Sequence, residues 1–196
     1  RSLFQQDWNQ SRLMRSIAVA GIQMSLNASQ SNVEAMLRRL DQVMHLYPWV
    51  EMVIFSELAA FGPAVIHAET LPGKTEEVFC QAALRHRLWL IPGTLFEKQD
   101  SALFNVAPVI NPEGQVVARY RKMFPFLPYE RGVSSGKDFV LFDIPNIGRF
   151  GLSICYDMWF PETTRTLCAM GAEVILHPTM TTTIDRDVEL SIARAA

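Results

Sequence analysis

The stretch Gly151-Leu-Ser-Ile-Cys-Tyr-Asp-Met-Trp-Phe-Pro-Glu162 changes character half-way along. Phe150, Leu152 and Ile154 alternate with small or polar residues, the period of a half-buried strand, and Pro161-Glu162 has the form of a helix start. Cys155 therefore falls where a strand gives out. A thiol at such a point can leave the sheet and meet a substrate. The turn after it can aim backbone N–H groups at the same place, as acyl chemistry at sulfur requires. The competing reading is a buried structural cysteine, and the rest of the chain has to decide between the two.

Outward from this stretch, residues 139–144 and 150–155 read as an antiparallel pair across Pro145-Asn-Ile-Gly148. Downstream come a helix over about 162–170, a strand over 173–177 and a helix from about Asp187. Towards the N-terminus, 17–24 reads as a first buried strand. Val33, Met36, Leu37, Leu40, Val43 and Met44 then share one face of a helix over 31–46, a core stripe that Pro48 ends. Residues 51–57 form a second buried strand with Glu57 just past its apolar part, and Gly62-Pro63 breaks the chain into a loop. A helix over 76–88 with Phe79, Ala83 and Leu84 on one side leads into a third strand, 88–96. Runs 103–110 and 115–121 make a hairpin across Asn111-Pro-Glu-Gly114, and a loop rich in proline and aromatics follows, 123–136. Strands alternating with helices in this order point to a layered α/β domain.

A chain of 196 residues, 49% hydrophobic, is long enough to bury one sizeable core. Eighteen Lys and Arg against twenty Asp and Glu leave a formal charge of −2, which gives no electrostatic reason to expect nucleic acid or an anionic membrane. Three cysteines, Cys80, Cys155 and Cys168, do not make a disulfide framework and suit a reducing, cytoplasmic compartment. Cys80 and Cys168 fall on helix faces and are expected in the core. His67, His86 and His177 lack ligand-like spacing, so no metal is expected. Residues 1–16, polar with scattered large apolars, read as an N-terminal arm; 17–196 form the domain.

Glu57, Lys122 and Cys155 all fall where apolar strands end. Singly, the first two read as solvated charges, Lys122 in a basic run with Arg119 and Arg121. Together, a thiol, a carboxylate base and a fixed cation suffice to attack an amide carbon.

These residues also carry a resemblance. Phe55-Ser-Glu-Leu58, Tyr120-Arg-Lys-Met-Phe124 and Ser153-Ile-Cys-Tyr-Asp-Met-Trp-Phe-Pro-Glu162 resemble the three signature blocks of the nitrilase superfamily, the carbon–nitrogen hydrolases with a Glu-Lys-Cys triad. The blocks occur in the family's order, 65 residues from Glu57 to Lys122 and 33 from Lys122 to Cys155. Gln23, the run Gly171-Ala-Glu-Val-Ile-Leu-His-Pro178 and Ala193-Arg-Ala195 are similar to its supporting blocks. The resemblance implies a four-layer α-β-β-α sandwich, usually dimerised. It implies Cys155 as nucleophile, Glu57 as general base, and Lys122 with the Tyr156 N–H as oxyanion donors, with no metal or organic cofactor. Lys122 is expected to favour the thiolate.

Pro128-Tyr-Glu-Arg131 matches the second-glutamate loop of aliphatic amidases, so Glu130, eight residues after Lys122, would orient the substrate or Lys122. Cys155-Tyr156-Asp157 is the form common in amide-hydrolysing branches, whereas nitrile hydrolysers usually carry Cys-Trp-Glu. A small amide is therefore the favoured substrate, with nitrile and N-carbamoyl-amide hydrolysis as alternatives. Phe124, Phe126, Tyr129, Trp159 and Phe160 line either an apolar substrate pocket or a subunit interface. Family domains normally continue well beyond Ala195. The chain accordingly reads as incomplete at its C-terminus, and a non-catalytic subunit keeping the fold is the competing class.

Overall fold

A computed structural model describes residues 15–28, 30–181 and 184–195. The strand β2, Met52–Phe55, sets the layering. Its side chains alternate between two cores: Val53 and Phe55 pack with the first helices, Met52 and Ile54 with a second sheet. A strand buried on both faces reads as an unbroken apolar run, which is why 51–57 was legible without a period.

β2 pairs in parallel with β1, Val19–Ile22, and with β3, Trp89–Ile91. The connections are helices α1, Val33–Leu46, and α2, Lys74–His86. The sheet is completed by β4, Leu95–Gln99, β5, Ala102–Ile110, and β6, Val116–Arg121, the last two forming the expected hairpin. Met36 and Leu40 of α1 and Phe79 and Ala83 of α2 cover the outer face of this sheet. Against its other face lies a smaller sheet of β7, Leu141–Ile144, β8, Gly148–Leu152, and β9, Val174–Leu176. Phe142, Phe150, Leu152 and Ile154 meet Met52, Ile91, Val109 and Tyr120 between the sheets. Helix α3, Pro161–Ala169, starts at the expected proline and covers the smaller sheet. A Cβ on Gly151 of β8 would stand 3.1 Å from Leu167. With α4, Ile184–Ala195, packed on the turn after β8, the layer order is α-β-β-α.

Several expectations are corrected. The single strand 88–96 is two strands, β3 and β4, both antiparallel to β5. From Leu90↔Ile110 to Leu95↔Val106 the first strand advances five residues while β5 advances four, so one extra residue is accommodated around Pro92-Gly93. β1 is an edge strand with Val19 47% exposed, because only β2 borders it. On α2 the buried face runs through Phe79, Cys80, Ala82 and Ala83, and Leu84 is exposed. Cys80 is in the core as expected, but Cys168 is exposed near the end of α3. Residues 1–14 of the arm lie outside the described residues. Arg15 packs on the body through an ion pair with Glu51. Among the described residues no helix is long and apolar enough to cross a membrane.

Candidate active site

Three backbone devices bring the strand ends together. Glu57 follows β2 at a sharp turn in which Leu58 takes a left-handed conformation, φ 53°. The Leu58 N–H is held by Thr94 Oγ1 at 2.9 Å, and Gly93 abuts the carbonyl of Ser56, so the irregularity between β3 and β4 directly braces Glu57. Lys122 is one residue past β6, and its N–H donates to the Asn105 carbonyl of β5 at 2.8 Å. Cys155 opens a 3-10 turn, Cys155–Trp159, three residues past β8. Its φ of 44° is unusual for a side-chain-bearing residue, and the Cys155 N–H is anchored to Pro178 O at 3.0 Å.

The side chains of Glu57, Lys122 and Glu130 converge in a sealed cluster. Lys122 is 1% exposed, and its Nζ donates to Glu57 Oε1 at 2.8 Å and to Glu130 Oε2. Glu130 is held by its own loop, since its Oε2 also accepts from the Phe126 N–H at 2.6 Å. Glu57 Oε2 accepts from the Met180 N–H at 3.2 Å, and the same carboxylate interacts with the thiol of Cys155. The Cys155 Sγ in turn lies 3.5 Å from Met180 O.

Lys122 does favour the Cys155 thiolate as expected, but other groups outweigh it. Burial raises the pKa of Glu57 against the pull of Lys122. For Cys155, burial and then the Glu57 charge push the thiol up, and Lys122 counters only part of this. The resting group is therefore a thiol rather than a lysine-stabilised thiolate. Burial disfavours the Lys122 ammonium, but the two carboxylates outweigh it and carry its pKa up to about 12.

Asp157 and Asn105 are two participants that sequence reasoning did not place. Asp157, fully buried, accepts from Tyr120 O–H at 2.7 Å, Phe124 N–H at 2.8 Å and Ile154 N–H at 2.9 Å. It thus joins the lysine segment to the cysteine turn, and burial raises its pKa to about 6. Asn105 Nδ2 donates to Glu57 Oε1 at 2.9 Å and Glu130 Oε1 at 2.8 Å. A polar residue inside an otherwise apolar strand was the available signal. Arg119 and Arg121 are not a free basic edge: each forms a two-pronged ion pair, with Glu76 and with Glu97.

The aromatics form a stack beside the cysteine. Tyr156 packs against Phe126, Trp159 and Phe160, and Phe124 stacks on Phe160. Trp159 also donates to Asp187 at 3.2 Å. Tyr129 stands apart from the cluster of charges, 80% exposed and stacked on Phe126. Among the described residues no group of three His, Cys, Asp or Glu is disposed to hold a metal.

The family model for carbon-nitrogen hydrolases matches residues 16–195. The chain belongs to the carbon–nitrogen hydrolase family. Curated relatives include a formamidase of Helicobacter acinonychis, 28% identical over 156 residues, covering 76% of this chain and 47% of the relative. Omega-amidase NIT2 of Homo sapiens is 31% identical over 121 residues, covering 57% of this chain and 44% of that protein. The chain thus spans about half the length of the curated carbon–nitrogen hydrolases it matches. Among solved structures, Saccharomyces cerevisiae Nit3, of the nitrilase superfamily, superposes with a TM-score of 0.79 at 23% identity, over 94% of this chain and 73% of that one. An amidase from Nesterenkonia gives 0.79 at 20% identity, over 91% and 71%. These likenesses establish the nitrilase-superfamily sandwich.

Proposed function

We propose that this carbon–nitrogen hydrolase cleaves a small amide through a thioester on Cys155. The observation that carries the reading is the interlock of Glu57 and Lys122, buried just past separate strands, with Glu130 of the following loop, set against the Cys155 thiol. A stripped lysine between two buried carboxylates is costly to build, and its chemistry fits a site where negative charge appears on a carbonyl oxygen.

The Cys155 proton passes to Glu57 as Sγ attacks the carbonyl carbon, which agrees with a resting thiol and a carboxylate whose pKa is raised. The oxyanion accepts from Lys122 Nζ and from the Tyr156 N–H, which stands in the first turn of a 3-10 segment and has no acceptor within it. Collapse breaks the C–N bond, and the proton held by Glu57 leaves with ammonia. Water then gives a proton to Glu57, attacks the thioester and releases the carboxylic acid, and the proton returns to sulfur. Glu130 positions Lys122. The aromatic stack around Tyr156 and Trp159 suits a small acyl group, and the formamidase and omega-amidase relatives support an amide over a nitrile. Val188 and Ile192, exposed four residues apart on α4, support assembly with a second copy.

The test is ammonia release from paired amides and nitriles of equal acyl size, with mass spectrometry of the trapped enzyme. An acyl adduct on Cys155 with amides is expected. Turnover confined to nitriles would overturn the substrate class, and ammonia release without any adduct in the Cys155→Ala protein's wild-type counterpart would overturn the thioester.

A further inference from the structure

Asn105 has no assigned part in the reaction above, yet it touches three of its participants. Its carbonyl fixes the backbone of Lys122, and its Nδ2 spends one N–H on Glu57 Oε1 and the other on Glu130 Oε1. The residue is 0% exposed, and its own Oδ1 is buried without a hydrogen-bond partner. An unmet buried carbonyl is a standing cost to the fold. An apolar side chain on β5 would avoid it, as Val106 and Ala107 do at the next two positions. The cost is explained if the two N–H groups are needed where they stand.

The need follows from the two oxygens of Glu57. Oε1 already accepts from Lys122 Nζ and, with Asn105, has two strong donors aimed at it. A proton placed on Oε1 would face those two donors, whereas Oε2 accepts only the longer 3.2 Å bond from the N–H of Met180, the residue whose carbonyl oxygen lies 3.5 Å from Cys155 Sγ. Asn105 also supplies the neutral donor that lets two carboxylates share one ammonium at close range without a second cation. From this geometry we infer that Asn105 is a positioning residue for the reaction. It locks Glu57 so that Oε2 alone exchanges the proton with Cys155, and it holds Glu130 in register on the same lysine. The inference rests on the cysteine-amidase reading, but it concerns how Glu57 is aimed and not which amide is cleaved.

The experiment reads the thiol directly. A glutamate-to-glutamine mutant of the Nesterenkonia amidase shows acrylamide joined by Michael addition to its active-site cysteine, which recommends a Michael acceptor as a probe. The rate of Cys155 alkylation by methyl vinyl ketone, a Michael acceptor with no amide to be turned over, is measured by mass spectrometry in the full chain, between pH 5 and 8, for wild type, Glu57→Gln, Asn105→Leu and Asn105→Asp. Near-ultraviolet circular dichroism confirms that each variant is folded. Asn105→Leu is expected to alkylate ~10- to 100-fold more slowly than wild type, the usual loss on removing a group that orients a reactive one. With amide substrate, kcat falls by a similar factor while KM stays within about threefold, since Asn105 does not touch substrate. Asn105→Asp keeps the amide's shape but donates only when its new carboxyl is protonated. Its rate relative to wild type is therefore expected to recover as pH falls. If Asn105→Leu does not fold, this isosteric variant carries the test alone. A folded variant with wild-type alkylation, or an Asn105→Asp ratio flat with pH, overturns the inference. A folded wild type that neither releases ammonia from amides nor alkylates at Cys155 instead overturns the cysteine-amidase reading itself.

Discussion

At the scale of single residues, the site divides into groups that do chemistry and groups that hold charge. In the proposed mechanism Lys122 belongs to both, because it neutralises two buried carboxylates and would also donate to the oxyanion. Lys122→Met is therefore expected to abolish ammonia release and also to lower unfolding free energy by about 3 kcal/mol or more, the usual cost of stranding a buried partner charge. Cys155→Ala is expected to abolish turnover with stability changed by less than ~1 kcal/mol, since the thiol's polar contacts, with Met180 O at 3.5 Å and with the Glu57 carboxylate, are weak sulfur bonds. Urea titration beside an ammonia assay checks both, and equal stability losses in the two variants would contradict this division. Glu57, Lys122 and Cys155 stood out in sequence because reactive side chains at strand ends follow apolar runs that can be read, whereas Glu130, in a loop, was singled out only by the resemblance to amidases. Asn105 was not. A lone asparagine within a strand has no period or motif, and its meaning lies in two glutamates 48 and 25 residues away. Asp157 was legible as a marker of the amide branch, yet its role is structural, set by three donors arriving from two segments.

At the scale of elements, the hairpin of β5 and β6, the β7–β8 pair and the proline start of α3 were all readable, because turn residues and period are local signals. The break between β3 and β4 was passed over although Pro92-Gly93 interrupts the apolar run, since the extra residue is defined only by pairing with β5. That break depends on Gly93, with φ 79° and a hypothetical Cβ only 1.9 Å from the Ser56 carbonyl oxygen. Gly93→Ala would force β4 away from the Glu57 turn. A loss of about 3 kcal/mol or more is expected, with activity falling in whatever fraction stays folded. Gly132 is the control. It also has a positive φ, 89°, but a Cβ there meets nothing within 4 Å, so Gly132→Ala is expected to cost only ~1 kcal/mol of backbone strain. Thermal or urea unfolding of the pair separates steric clash from backbone conformation, and equal losses would show that the approach to Ser56 is not tight.

At the scale of the whole molecule, the two-sheet core buries titratable groups whose effects on stability oppose one another. Asp157 has its pKa raised by burial from 3.8 to about 6, so its contribution is fully present below pH 3.8 and is lost as pH rises through 6. Glu57, raised for the same reason, acts in the same direction. His177 is lowered from 6.5 to about 4, chiefly by burial, with Asp187 opposing and Lys122 assisting. Its contribution is present above pH 6.5 and is lost as pH falls through 4. Each of Asp157 and His177 amounts to roughly 3 kcal/mol across its window, so between pH 4 and 6 the two largely cancel and the native protein's stability is expected to change little on their account. Removing one exposes the other. His177→Asn keeps an acceptor near Ser153 Oγ, which lies 3.1 Å from His177 Nδ1, but does not titrate. Relative to wild type, this variant is expected to be about 3 kcal/mol better off at pH 4 than at pH 7, because only the wild type must keep a buried imidazole neutral in acid. Urea unfolding of both proteins at pH 4, 5, 6 and 7 gives the difference directly. A difference independent of pH would mean that the imidazole is solvated in the native state through the cavity that His177 lines with Ser191 and Arg194 of α4.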